Sequence, residues 1–277
     1  MANWNKDKIR EENANIGINE IKSYLADSSD FGFELQCLSH LEKTLKFKCK
    51  HSGSYVDHIK GKPRQYDIRA EKNCTLYTLK LAVECKSISS PLLIFRTQRT
   101  QAESYHYIIH TNHFLQTMGY EHDREAGKRI QRIHKFEGDD SFYDLNGMVG
   151  KKCEQITYNG EGRLVGNDTD IYEKWSQALG SSYDLIIDSY KYHKALVSLV
   201  IPILLVPDGM LWSVDYQVGI EIPEPISQQW CSFYVEKEYE IQRDRPMIIS
   251  HLEIATFSGL DQVINHFCRS DTYGGAV

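Results

Sequence analysis

The chain has 277 residues, 41% of them hydrophobic, which is enough to bury the core of one large domain or two small ones. Its formal net charge of −6 does not favour a nucleic-acid-binding protein, because such proteins commonly carry a basic patch or a high pI. Its seven cysteines include no Cys-x-x-Cys pair, and their odd number argues against a disulfide framework, so we expect reduced thiols.

No segment of the sequence has the character of a membrane anchor or a secretion signal. Residues 1–15 are polar and charged without an apolar run, which predicts a flexible N-terminal tail. The longest apolar stretch, residues 195–206, is too short to span a bilayer and is broken by Pro202, so it predicts a central strand. We expect a cytoplasmic protein without a membrane partner.

A helix is predicted from Phe31, because leucines recur at helical spacing behind capping residues at 28–30. Glu34 lies at the edge of the apolar stripe of this helix. A carboxylate there needs a partner, since burying an unpaired charge is expensive. The alternative is a position at the rim, where Glu34 reaches water or pairs with Lys43 or Lys46.

Two strands follow, at residues 64–70 and 79–86, and their short polar connection favours an antiparallel hairpin. At the strand period of two, Glu84 and Lys86 share one solvent-facing side. Asp67 falls on the matching side of the first strand, so it can meet Glu84 across the ladder. Facing carboxylates repel unless a cation lies between them, and their hard oxygens suit Mg²⁺ or Mn²⁺ better than Zn²⁺. The hairpin therefore predicts a magnesium site.

The Glu-x-Lys triplet carries little information by itself, since Glu20-Ile21-Lys22 repeats it in a polar, helix-like stretch. The alternative interpretation of Glu84 and Lys86 is an exposed strand face whose ion pair contributes little to stability. The strand context and the presence of Asp67 favour the metal site.

Residues 91–150 are rich in His, Gln, Arg and aromatic residues with weak periodicity, and we interpret them as an insertion after the Glu-x-Lys strand. On a helix, the spacing of His106, His110 and His113 can bind zinc. No cysteine pair lies nearby, and no carboxylate stands at the offset of zinc proteases, so packing is the favoured interpretation.

The remaining sequence predicts a helix that begins with capping residues at 167–170 and continues to about Ile186. Four strands and a last helix follow, at residues 197–206, 210–216, 231–235, 247–255 and 260–267. The first two strands flank the turn Pro207-Asp208-Gly209 and so predict a hairpin. No linker-like composition separates these elements, so residues 16–277 are expected to form one domain. Their succession predicts an α/β fold with a mixed central sheet flanked by helices.

The pattern resembles the PD-(D/E)XK, or restriction-endonuclease-like, nuclease superfamily, whose signature is an Asp on one strand and Glu-x-Lys at the end of the next. Here the signature consists of Asp67 and Glu84-Cys85-Lys86, and Tyr66 stands where the nominal pattern has Pro. Upstream, residues 53–64 look like the loop that introduces the Asp strand in several bacterial members. The resemblance implies a restriction-endonuclease-like core of α-β-β-β-α-β order.

The resemblance also implies a metal-dependent active site that uses Mg²⁺, for which Mn²⁺ can substitute. The implied metal ligands are the carboxylates of Asp67 and Glu84 and the backbone carbonyl of Cys85. Glu34, on the helix before the sheet, would assist directly or through water, and Lys86 would orient or activate the attacking water. The implied catalytic residues are Glu34, Asp67, Glu84 and Lys86.

The implied function is an endonuclease that hydrolyses DNA phosphodiester bonds, in restriction, repair or anti-phage defence. Basic residues beside the expected metal site can hold phosphates, although solvation alone also explains them: Lys60, Lys62, Arg64 and Arg69. Cleavage of both strands usually requires two copies of one active site, so a homodimer is expected. Two other functions stay open, an inactive nucleic-acid-binding or assembly subunit with the same fold and a hydrolase of a small nucleotide phosphodiester.

Overall fold

The computed structural model describes residues 16–27, 29–57, 61–113, 129–167, 169–191, 197–217, 223–242 and 245–268. These residues form a mixed α/β structure in which helices lie on both faces of a large mixed sheet. The prediction of an α/β fold with a mixed sheet flanked by helices is confirmed. The tail predicted at residues 1–15 lies outside the described residues.

The helices of the described residues are α1 Ile18–Asp27, α2 Phe31–Lys43, α3 Thr169–Lys191 and α4 Leu260–Phe267. None of them is long and apolar enough to cross a membrane. The strands are β1 Lys48–His51, β2 Ser54–Asp57, β3 Lys62–Gln65, β4 Ile68–Asn73, β5 Thr78–Cys85, β6 Leu92–Gln98, β7 Tyr105–His113, β8 Arg129–Glu137, β9 Met148–Tyr158, β10 Leu164–Asn167, β11 Val197–Val206, β12 Leu211–Asp215, β13 Ile226–Ser227, β14 Trp230–Gln242 and β15 Arg245–Thr256.

Thirteen of these strands form one sheet, whose longest path runs in the order β1-β4-β5-β11-β15-β14-β9-β6-β12-β13. Strand β7 pairs with β11 and β8, β10 pairs with β9, and β2 and β3 form a separate two-stranded ribbon. Strands β1, β4 and β5 are antiparallel neighbours, whereas β11 runs parallel to both β5 and β15. Parallel neighbours need a crossover connection, and α3 lies within the connection between β5 and β11.

The centre of the sheet is covered on both faces, which explains why β11 is apolar almost throughout. On one face, residues of β5 such as Leu79 and Val83 pack with α2 and α4. On the other face, α3 packs on the sheet through Ile171 and Ala178. The prediction that Glu84 faces solvent is therefore wrong, because α3 covers that side of β5 and Glu84 is 0% exposed.

Residues 91–150 contribute β6, β7, β8 and the start of β9, and all of these strands belong to the large sheet. The histidines for which a helix was considered lie on β7 instead, so their helical spacing has no structural meaning. His106 is buried and stacks on Phe136 with ring centroids 5.2 Å apart. The side chain of His113 lies outside the described residues.

Strands β11 and β12 do not form the predicted hairpin. Strand β11 pairs with β5, β7 and β15, whereas β12 pairs with β6 and β13. In the turn between them, the Asp208 carboxylate accepts hydrogen bonds from the backbone N–H and the hydroxyl of Ser258, at 2.9 and 2.7 Å. The turn is thus tied to the end of β15, and the chain continues to a different part of the sheet.

A disulfide joins Cys74, between β4 and β5, to Cys268, after α4, with Cα atoms 5.6 Å apart. The expectation that every cysteine is reduced is wrong for this pair. The partners lie 194 positions apart in the sequence, a separation at which spacing gives no signal. The remaining five cysteines form no disulfide.

We expect Cys74→Ser to lower the free energy of unfolding by about 3–5 kcal/mol relative to the oxidised wild type, because the disulfide restricts the unfolded chain over a long loop. Urea unfolding with and without a reductant measures this difference. A reductant should bring the wild type to the stability of the variant and leave the variant unchanged. Cys49→Ser, at a free cysteine, is the matched control and should keep its sensitivity to the reductant.

Candidate active site

Asp67 and Glu84 lie side by side at the open end of the β4–β5 hairpin, as the sequence predicts, but the strand predicted at residues 64–70 is divided. Residues 64 and 65 belong to β3, which pairs with β2, and Asp67 lies just before β4. The antiparallel register pairs Ile68 with Val83, so Asp67, one residue before β4, falls beside Glu84. Oδ2 of Asp67 accepts a hydrogen bond from the backbone N–H of Cys85 at 2.8 Å, which fixes this carboxylate. The Cys85 side chain is buried in the core.

Glu84 is a buried carboxylate beside Asp67. Within the described part of the chain neither Oε1 nor Oε2 forms a hydrogen bond of normal geometry, although the side chain and backbone of Asp67 come close enough to act on the pKa of Glu84 through hydrogen bonding. Burial first, and then the charge of Asp67, raise the pKa of Glu84 well above its ordinary value, while the charge of Lys174 opposes the increase. An unpartnered buried carboxylate destabilises a fold unless a proton or a cation compensates it. The site is therefore suited to binding either a proton or a cation.

The stability of the metal-free protein should depend on the ionisation of Glu84. Because the pKa of Glu84 is raised in the folded state, its protonated form contributes stability that is fully present below the ordinary pKa of 4.5 and is lost as pH rises through the folded-state pKa. Glu84→Gln stays neutral at every pH. In a chelator, it should be about 1–3 kcal/mol more stable than wild type at high pH and equal to it at pH 4. Urea unfolding across this pH range measures the difference in the free energy of unfolding between the two proteins. A difference that stays the same at every pH would contradict the prediction.

Glu34 lies in the first turn of α2 and faces the same site. Its Oε2 is 3.2 Å from Nε2 of His51, at the end of β1, and its side chain is 12% exposed. Burial, followed by the charge of Asp67, raises the pKa of Glu34, while the hydrogen bond with His51 and the charge of Lys174 lower it. His51 is thus the partner that the Glu34 carboxylate needs at the edge of the apolar stripe.

Lys86 follows the last residue of β5 and contacts a different carboxylate. Its Nζ donates a hydrogen bond to Oδ2 of Asp30 at 3.4 Å. Asp30 precedes α2 without capping it through its side chain, and its Oδ1 accepts a hydrogen bond from the backbone N–H of Ser87 at 2.7 Å. Asp30 therefore holds the segment after β5 against the start of α2, a role that its capping context in the sequence did not reveal.

Lys174 is the ammonium group that approaches Asp67. Its Nζ lies 3.3 Å from Oδ2 of Asp67 and 3.7 Å from Oδ2 of Asp30. Burial lowers the pKa of Lys174, but the charges of Asp67, Glu84 and Asp30 outweigh burial and raise it. Sequence reasoning missed this residue because α3 follows the Glu-x-Lys strand only after β6 to β10. We call the four acidic residues of this region the carboxylate cluster: Asp30, Glu34, Asp67 and Glu84.

The basic residues predicted to bind phosphate differ in their position relative to the site. Lys62 is exposed on β3. Arg64 lines the site and forms an ion pair with Asp57 at 3.0 Å. Arg69 is directed to α3, where its Nη2 lies 3.2 Å from Oδ2 of Asp184. Lys60 lies outside the described residues.

A cleft of about 390 Å³ opens over Glu34 and Asp67 of the carboxylate cluster, between α2, α3 and the β2–β3 ribbon. Its lining consists of Phe31, Glu34, Ser52, Arg64, Gln65, Asp67, Glu173, Lys174 and Gln177. Glu84 does not belong to the lining and lies next to Asp67 inside the protein. A molecule in the cleft would therefore meet carboxylates and an ammonium group together.

The donor set fits a hard divalent cation. Glu84 offers two unpartnered oxygens beside the Asp67 carboxylate, and Mg²⁺ and Mn²⁺ prefer such ligands. In the part of the chain that the structure describes, no group of three or more His, Cys, Asp and Glu side chains has a metal-binding arrangement. Mg²⁺ commonly keeps several waters and takes one or two protein carboxylates, so two are sufficient.

Comparison of the chain with protein-family models, curated proteins and solved structures finds no significant match.

Proposed function

We propose that the protein is a Mg²⁺-dependent endonuclease that hydrolyses phosphodiester bonds in DNA. The observation that carries the proposal is the buried Glu84, whose oxygens are unpartnered in the described structure, beside Asp67 at a cleft. A hard divalent cation would compensate the charge of both carboxylates and satisfy the free oxygens of Glu84. Mn²⁺ has the same preference for oxygen ligands and can substitute.

The order of elements around the site supports a restriction-endonuclease-like core. Helix α2, strands β1, β4 and β5, helix α3 and strand β11 follow one another in the α-β-β-β-α-β order of that superfamily. In the sheet the four strands are neighbours in the order β1-β4-β5-β11. The signature residues Asp67 and Glu84-Cys85-Lys86 lie at the start of β4 and the end of β5. The ribbon β2–β3 and strands β6 to β10 are additions between these elements.

Asp67 and Glu84 would hold the metal, with the backbone carbonyl of Cys85 as a further ligand. A metal held by these groups would lower the pKa of its bound water and would place positive charge beside the attacked phosphate. Lys174 would add an ammonium group next to Asp67, and Lys86 would add a second one at the neighbouring Asp30. Positive charge that is already in place stabilises the charge that develops on the phosphate without further reorganisation.

Glu34 and His51 form a hydrogen-bonded pair that can take up the proton of the attacking water. Their 3.2 Å contact lies near Asp67, and Glu34 lines the cleft. A raised pKa brings a carboxylate closer to the working pH, which suits a general base. The pair would thus receive the proton while Lys174 and Lys86 keep their positive charge.

DNA would reach the site across the β2–β3 ribbon, where Lys62 is exposed and Arg64 lines the cleft. Arg69 is already paired with Asp184, so it would support α3 and not the substrate. Cleavage of both strands would use two copies of the site, which favours a homodimer. A role in restriction, repair or anti-phage defence would follow from the resemblance.

Plasmid cleavage tests the proposal. With millimolar Mg²⁺ or Mn²⁺ the protein should convert supercoiled plasmid to nicked and linear forms, and EDTA should prevent the reaction. The Glu84→Gln protein, purified identically, controls for a contaminating nuclease. Intact plasmid after incubation with either metal would contradict an endonuclease acting on DNA.

One observation favours a hydrolase of a small nucleotide phosphodiester as a second candidate. The cleft volume of about 390 Å³ falls within the range of small-molecule sites, and the net charge of −6 does not attract DNA at long range. Turnover of cyclic and linear dinucleotides, compared with plasmid cleavage at equal enzyme concentration, separates the two functions.

A further inference from the structure

Lys174 occupies the position of a counter-cation within the carboxylate cluster. Its Nζ contacts Asp67 at 3.3 Å and lies 3.7 Å from Asp30, and its side chain is 18% exposed. Lys86, the other nearby ammonium group, contacts Asp30. Lys174 is thus the lysine placed directly against a carboxylate that the proposed metal would use.

The two lysines compensate only part of the charge of the carboxylate cluster. The cluster carries four negative charges when all its members are ionised, whereas Lys86 and Lys174 carry two positive charges. A divalent cation would add positive charge to this group. A metal that binds Asp67 and Glu84 must nevertheless approach an ammonium group at short range, and like charges at such distances repel strongly in a partly buried site.

We infer that Lys174 competes with the divalent cation for Asp67, so that this lysine weakens metal binding and keeps the carboxylates compensated when no metal is bound. The inference rests on the metal site of the proposed function and adds a regulatory property to it. In the metal-free protein Lys174 holds α3 to Asp67. When the metal binds, the ammonium group gives up part of this contact and becomes available to a phosphate in the cleft, which Lys174 lines.

Calorimetric titration with Mn²⁺ alone tests the inference without relying on activity. We expect Lys174→Met to bind Mn²⁺ about tenfold more tightly than wild type, because it removes the competing charge and keeps a side chain of similar length. Lys174→Arg keeps the charge and should bind within about threefold of wild type. Lys86→Met is the matched control and should change affinity much less, because Lys86 contacts Asp30 and not Asp67.

Thermal unfolding gives a second readout that a purely structural role would not produce. In EDTA, Lys174→Met should melt below wild type, since Asp67 and Glu84 then lack their counter-charge, and saturating Mn²⁺ should raise its melting temperature more than that of wild type. Equal Mn²⁺ affinity of wild type and Lys174→Met would overturn the inference that Lys174 competes with the metal, while leaving the metal site in place. An equal increase in Mn²⁺ affinity in Lys86→Met would do the same. Absence of Mn²⁺ binding by all four folded proteins would overturn both the inference and the proposed function.

Discussion

Glu84→Gln is expected to reduce Mg²⁺-dependent plasmid cleavage by at least about 10²-fold while the protein remains folded. The substitution keeps the shape of the side chain but removes the negative charge that the metal requires. The same change removes a buried carboxylate whose charge is not compensated by a normal hydrogen bond in the described structure, so the inactive variant should be more stable in EDTA at high pH than the active protein. Lost activity with gained stability is typical of a residue kept for function.

The control for this prediction is Glu71→Gln. Glu71 belongs to the same hairpin and forms an exposed ion pair with Lys48 at 3.5 Å, so its loss should change cleavage less than twofold. Asp67→Asn should lose cleavage to a similar extent as Glu84→Gln, with metal affinity measured by calorimetry lost in parallel. A Glu84→Gln protein that cleaves at the wild-type rate would contradict the proposed role of this carboxylate.

The second large effect is expected from Lys174. We expect Lys174→Met to lower the cleavage rate about 10²-fold at saturating Mg²⁺, because the ammonium group nearest to Asp67 is lost from the site where charge develops. Lys86→Met should lower the rate less, since Lys86 is held by Asp30 at 3.4 Å. Single-turnover rates at saturating Mg²⁺ separate this effect from the change in metal affinity.

We therefore expect Lys174 to contribute more to the cleavage rate than Lys86, whereas the sequence predicts Lys86 as the catalytic lysine. A Lys86→Met protein that loses about 10²-fold while Lys174→Met retains the wild-type rate would restore Lys86 as the catalytic ammonium group. Lys174→Arg is the conservative control and should recover a part of the activity that Lys174→Met loses, because it supplies positive charge with a different geometry.

The sequence alone was sufficient for the parts of the site that depend on local periodicity. Strand period places Asp67 beside Glu84, and the hairpin register confirms that placement. The helical stripe predicts α2 and places Glu34 at its edge, where it faces the site. These predictions depend only on residues that lie close together in the sequence.

Partners that are distant in the sequence were not predictable in this way. Lys174 and His51 reach the site from α3 and β1, and no local pattern connects either of them to Asp67 or Glu34. The burial of Glu84 was missed for the same reason, because its strand alternates like a half-exposed one until α3 covers the second face. Tertiary packing decides which side of such a strand is solvated.

The order of strands in the second half of the sheet shows the same limit. The turn at Pro207-Asp208-Gly209 has the composition of a hairpin turn, yet Asp208 bonds to Ser258 and the flanking strands pair elsewhere. Residues 91–150 looked irregular because their apolar periodicity is weak, although they supply β6, β7, β8 and the start of β9. Strand pairing across such separations is set by long-range packing and not by local propensity.

Anomalous diffraction from crystals soaked in millimolar Mn²⁺ tests the central claim most directly. We expect a single strong peak within about 2.2 Å of carboxylate oxygens of both Asp67 and Glu84, with Nζ of Lys174 farther from Asp67 than 3.3 Å. Crystals of Glu84→Gln grown and soaked in the same way should lack the peak. A wild-type crystal with no Mn²⁺ between these two carboxylates, and with Lys174 still against Asp67, would contradict the account.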